Sequence, residues 1–101
     1  MALREASIVV EAVVPVRDVA VSLFFLKSNG KVVFWPGTLR RRLQAAGLPE
    51  SLGEDYVTRM RALLGAPPSV QEPSRDVDEV NVEALRDLAK RFVKQIEETA
   101  T

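Results

Sequence analysis

VAVSLFFLKSNGKVVFWP, residues 19–36, decides the fold. Asn29-Gly30 stands between two apolar runs, with Phe24 and Phe25 on one side and Phe34 and Trp35 on the other. Asn-Gly is the strongest short-range hairpin signal, because a type I′ turn needs positive φ at both central residues. With Asn29 and Gly30 as the two loop residues, Ser28 faces Lys31, Lys27 faces Val32, Leu26 faces Val33, Phe25 faces Phe34 and Phe24 faces Trp35. Side chains alternate along a strand. One face therefore carries Phe24, Leu26, Val33 and Trp35, and the other Leu23, Phe25, Val32 and Phe34. Both faces are apolar, and each requires cover.

Upstream, residues 7–16 (SIVVEAVVPV) are rich in β-branched side chains, with Ile8, Val10, Ala12, Val14 and Val16 on one parity. This is a strand pattern. Pro15 cannot donate to a ladder, so the strand is an edge or ends there. Joined through Val16-Arg17-Asp18 it completes a three-stranded meander; alternatively it pairs with a second molecule. Downstream, Pro36-Gly37 ends the sheet and Thr38 suits the N-cap of a helix over residues 39–46, closed by Gly47 at C′. Ser51-Leu52-Gly53-Glu54 has capping-box spacing for a second helix over residues 52–64, stopped by Gly65. Residues 66–80 are proline-containing and polar, and read as a linker. Val82, Leu85, Leu88, Ala89, Phe92, Val93 and Ile96 repeat at 3.6 residues, placing a third helix over residues 82–98 with Asn81 or Asp78 at its start.

The 101 residues thus read as one α+β domain: a three-stranded antiparallel β-meander (residues 7–36), a helix pair (37–65), the linker (66–80) and a C-terminal helix (81–99) packed on the sheet. Fourteen basic residues balance fourteen acidic ones, so no global field recruits nucleic acid or membrane. The absence of cysteine and histidine removes disulfides, thiolate nucleophiles, structural zinc built on those residues and the usual neutral-pH general base. No Asp/Glu cluster has calcium-loop spacing, and no Walker loop, dinucleotide fingerprint or nucleophile elbow is present. The reading is a non-enzyme with no required cofactor. No apolar run approaches membrane-spanning length, and Glu5 and Glu11 follow Met1-Ala2-Leu3-Arg4 too closely for a secretory core. A cytoplasmic location is the expectation.

Arg40-Arg41-Arg42 is the sole basic cluster. Three consecutive helical residues fan over about 200°, so all three cannot face one ligand. As a solvated surface they cover apolar neighbours with their stems. As an anion site, Arg40 and Arg41 lie in the first turn, where free amides and the helix dipole add to them, with Lys27 or Lys31 contributing from the hairpin. Weak nucleic-acid binding through these arginines is a further reading, opposed by Glu54-Asp55 at the start of the second helix.

Leu26-Lys27-Ser28-Asn29-Gly30-Lys31-Val32-Val33-Phe34, followed by Leu39 and Leu43 and then Ala46-Gly47-Leu48, resembles the opening of the ATP-cone domain over residues 26–64. That family shares a short hairpin around a Lys-x-x-Gly turn, a Phe ending the second strand and an Ala-Gly-ended first helix. Its members carry Lys-Arg-Asp-Gly where this chain has Lys27-Ser28-Asn29-Gly30, and the strand over residues 7–16 is additional. The resemblance implies an adenine-nucleotide-sensing module that takes ATP or dATP, with Lys27, Arg40 and Arg41 on the phosphates. From the residues themselves the leading expectation is different. It is a small assembly or adaptor protein, a homodimer or the partner of another protein, whose interface is the apolar face bearing Leu23, Phe25, Val32 and Phe34.

Overall fold

The computed structural model describes residues 7–100, so Met1-Ala2-Leu3-Arg4, on which the leader argument rests, lies outside them. Strands β1 (Ile8–Val16), β2 (Val19–Lys27), β3 (Lys31–Val33) and β4 (Ser74–Asp76) form one antiparallel sheet in that order. Three helices follow the meander: α1 (Pro36–Ala45), α2 (Glu54–Leu63) and α3 (Val82–Ala100). The architecture is α+β, as the pattern of the chain implies, with one strand more than expected.

The extra strand comes from the segment read as a linker. Ser74, Arg75 and Asp76 pair with Val33, Val32 and Lys31, which makes β3 an interior strand. All three β4 side chains are exposed and polar, so neither alternation nor apolar content marks them. Flanking bonds fix the crossing: Phe34 N–H donates to the Pro73 carbonyl at 3.2 Å and Val77 N–H to the Gly30 carbonyl at 2.9 Å.

The two hairpin turns exchange the roles expected of them. Positive φ at two successive residues occurs at Arg17 (46°) and Asp18 (72°), between the paired Val16 and Val19, giving the two-residue type I′ geometry there. At the second turn only Gly30 has positive φ, 81°. Its N–H donates to the Lys27 carbonyl at 3.0 Å, and the Asn29 side-chain oxygen accepts from Lys31 N–H at 3.1 Å. The loop is therefore Ser28-Asn29-Gly30, three residues with glycine in the left-handed position. Phe25 faces Val33 and Leu26 faces Val32, one residue off the expected register.

A one-residue slip moves side chains to the opposite face. A β-bulge adds to it: Ala12 pairs with Phe24 and Val13 with Ser22, leaving Leu23 unpaired and resetting the alternation of β2. Val21, Leu23, Val32 and Phe34 consequently join the helix-side core, with Phe24 and Leu26 packed against it. Phe25 and Val33 are buried outside that cluster, and the Trp35 ring lies 4.2 Å from Phe25. The expected faces are thus corrected. Phe25 parts from Leu23, Val32 and Phe34 and sides with Trp35.

All three helices contribute to the single core, through Leu39 and Leu43, Tyr56, Val57 and Met60, and Leu85, Phe92 and Ile96. Tyr56 is its hinge-pin: stacked 4.4 Å from Phe92 and edge-on 5.6 Å from Phe34, it donates its hydroxyl to the Leu23 carbonyl at 3.1 Å. That bond satisfies a backbone group at the bulge. Burial drives the Tyr56 phenol far above its ordinary pKa. Pro36 opens α1 without a side-chain cap, so the helix begins ahead of Thr38. Gly47 (φ 78°) and Gly65 (φ 67°) close α1 and α2 as Schellman motifs, with Leu48 N–H donating to Leu43 and Ala66 N–H to Arg61. The Ser51/Glu54 capping box does not form. A short 3-10 turn, Glu50–Gly53, precedes α2 instead, and no side chain caps either element. Asn81 caps α3 as expected, accepting from Ala84 N–H at 3.1 Å.

Candidate functional site

β1 is one of the two edge strands of the sheet. Its residues 12, 14 and 16 turn towards the helices and are progressively covered. The rest stay in water: Ile8 is 42% exposed, Val9 57%, Val10 50% and Val13 42%. Val82 is the only other large hydrophobic residue so exposed among the described residues. Val9 is the extra residue of a second bulge, between the pairs Ile8–Lys27 and Val10–Leu26. Pro15 offers no N–H on the edge. Between them, residues 10–14 present an uninterrupted strand. Its one charge, Glu11, is engaged across the hairpin by the Ser22 hydroxyl, which donates to it.

The four residues expected to form the interface are inside the chain. Leu23 is 5% exposed, Phe25 4%, Val32 2% and Phe34 1%. They do not share a face, and the chain covers both groups itself. The helices take the first side. Trp35 lies on the other, and Lys27 and Glu72, the latter on the strap of residues 66–73 leading into β4, close over its indole. The Lys27 ammonium sits 3.1 Å from the Glu72 carboxylate and 5.9 Å from the Trp35 ring centroid. Lys27 was expected on the opposite side from Trp35; the register slip unites them.

Arg40 and Arg41 do come together, on the wall of a cleft of about 480 Å³ at the start of α1. Trp35, Gly37, Thr38, Arg61 and Glu72 also line it. Arg42 is exposed and lies outside it. Arg40 is held in a fork by Glu54, at 3.0 and 3.3 Å. Arg41 donates to the Thr38 hydroxyl at 3.3 Å. Lys27 is not on the wall itself and reaches it through the Trp35 ring and Glu72. That carboxyl is lowered in pKa, first by the Trp35 indole N–H and then, against the opposing effect of burial, by Lys27. Lys31 is exposed at the start of β3 and is not part of the wall.

Two features escaped the sequence. The openness of β1 had a signal in its apolar residues on both parities, which a strand covered on one face does not need. Arg61 had none: it follows the core residue Met60, and only the return of the chain at Val70, whose carbonyl accepts from Arg61 at 3.2 Å, draws it in.

Among the described residues there is no group of three or more acidic side chains placed to hold a metal ion, and no helix long and apolar enough to cross a membrane. The fold and the site thus define a class: a four-stranded antiparallel sheet, helices on one side, with a bare apolar edge. No protein-family model matches the chain, and comparison with curated proteins and with solved structures returns no match.

Proposed function

We propose that this chain is a non-catalytic assembly protein that joins copies of itself through β1, edge to edge. The carrying observation is the exposure of Ile8, Val9, Val10 and Val13 on an edge strand, paired only with β2, that carries a single charge. Protein edges are ordinarily blunted by lysine, proline, bulges or shortness. Here the proline and the bulge only bound the free stretch. An identical strand is a self-complementary occupant, since a two-fold pairing matches apolar residues with apolar residues and supplies the missing backbone partners.

The magnitudes suit a reversible dimer. A half-exposed β-branched side chain retains about 1 kcal/mol of its burial energy, so eight of them offer about 8 kcal/mol. Association costs about 4–15 kcal/mol in lost rigid-body freedom. Ladder hydrogen bonds at about 1 kcal/mol each tip the balance. Assembly is accordingly expected to be concentration-dependent. Sedimentation velocity over a wide concentration range should show monomer passing to dimer. A strictly monomeric chain that binds no apolar dye at high concentration refutes the reading.

A further inference from the structure

The cleft at the start of α1 has a surplus of donors. Among the described residues, Arg61 Nε is a buried side-chain nitrogen left without an acceptor, and the Trp35 indole N–H on the same wall has only the Glu72 carboxylate beside it. Buried donors are almost always paired in native proteins, so the orphaned Arg61 nitrogen marks a missing acceptor. The charges point the same way. Arg40 is neutralised by Glu54 and Glu72 by Lys27, whereas Arg41 and Arg61 donate only to neutral oxygens, the Thr38 hydroxyl and the Val70 carbonyl. The free amides of the first turn of α1, at Gly37 and Thr38, stand on the same wall.

We infer that this cleft binds a small oxyanion of the phosphate class. Arg41 is its mobile clamp, since it is exposed and fastened only to a hydroxyl. Arg61 is its fixed floor, with its head group anchored on Val70. Guanidinium forks match the tetrahedral oxygens of phosphate better than any neutral group does. Volume permits the anion and a modest substituent, because about 480 Å³ exceeds what a bare phosphate fills. The site is independent of β1 and stands whether or not the chain assembles.

Trp35 is the chain's single tryptophan and lies on the wall, so its fluorescence reads the site directly. The full chain is titrated with inorganic phosphate and, separately, with O-phosphoserine, each against chloride at matched ionic strength. A saturable change with either phosphate compound is expected, and the comparison tells a free anion from a phosphomonoester. Arg41→Gln should weaken binding at least about tenfold, the loss expected of a hydrogen bond to a charged group, with unchanged thermal melting. Arg86→Gln, on an exposed turn of α3 remote from the wall, should leave it unaltered. A response shared by chloride, a response that never saturates, or full binding by Arg41→Gln overturns the proposal.

Discussion

The sheet has two edges, and they are built on opposite plans. β4 is three residues long, with Ser74, Arg75 and Asp76 all exposed. Arg75 is further tied to Glu79 at 3.3 Å. A short, charged edge gives a neighbouring strand little to pair with. β1 is nine residues long, carries one charge and leaves four β-branched side chains in water. One edge is closed against partners, and the other is not. The difference is the reason for proposing β1 as the assembly surface, where the sequence pattern alone points to an interior face.

Charging β1 is the sharpest way to break this contrast. Val10→Lys combined with Val13→Lys should weaken self-association at least about a hundredfold, because each unpaired charge buried in an apolar contact costs more than a factor of ten. Both positions are exposed in the monomer, so the melting temperature of the dilute chain should hold. Sedimentation checks the first outcome and circular dichroism the second. The matching change at the other edge, Arg75→Ala, should leave association untouched. If it dissociates the dimer instead, the edges have been assigned the wrong way round.

Next in size is the anchor beneath β2. Tyr56→Phe deletes the hydroxyl that serves the Leu23 carbonyl at the bulge. A buried acceptor left unpaired costs about 1–3 kcal/mol. For a chain of this length the melting point should fall by about 4–8 °C per kcal/mol. The bulge matters to both edges, since it decides which β2 side chains meet the helices. An unchanged melting point in Tyr56→Phe would show that water serves Leu23 equally well.

The same bulge explains what could and could not be read in advance. Strand and helix existence followed from local chemistry: the β-branched runs, the Schellman glycines Gly47 and Gly65, the Asn81 cap and the stripe of α3 all act within a few residues. The register did not. Asn29-Gly30 satisfies a two-residue turn locally, but burial of Phe34 against Tyr56 selects a three-residue loop, and that choice rests on contacts distant in sequence. β4 was hidden because its polar side chains carry no periodicity and its existence depends on backbone bonds to β3. The candidate surface was half legible: β1 was recognisable as an edge strand, whereas the interior destination of Leu23, Phe25, Val32 and Phe34 depended on register and bulge together. The turns themselves offer a test of smaller size. Gly30→Ala forces a Cβ into left-handed backbone in open space, so it should cost about 1–2 kcal/mol from backbone strain alone. Asp18→Gly, relieving the same strain at φ 72°, should be neutral or slightly stabilising. Paired chemical denaturation curves measure both, and a stable Gly30→Ala would mean that the turn has reverted to another geometry.

The smallest expected effect lies where the β4 strap closes the Trp35 face. The Glu72 carboxyl, ordinarily near 4.5, is lowered by the Trp35 indole N–H and by Lys27. A carboxyl with a depressed folded-state pKa contributes stability above its unfolded value and loses it as pH falls through the lower, folded one. The wild-type chain should therefore hold a modest advantage over Glu72→Gln at neutral pH that shrinks to nothing in acid below the ordinary carboxyl range. Glu72 is 48% exposed and Lys27 20%, so solvent screens much of the pair and the advantage should also fall with added salt. Denaturant midpoints of the two chains, compared across pH at low and high ionic strength, decide it. An advantage that persists in acid would assign the strap's closure to packing on Trp35 instead of to charge, and would leave the polar closure of this end of the sheet without an electrostatic component.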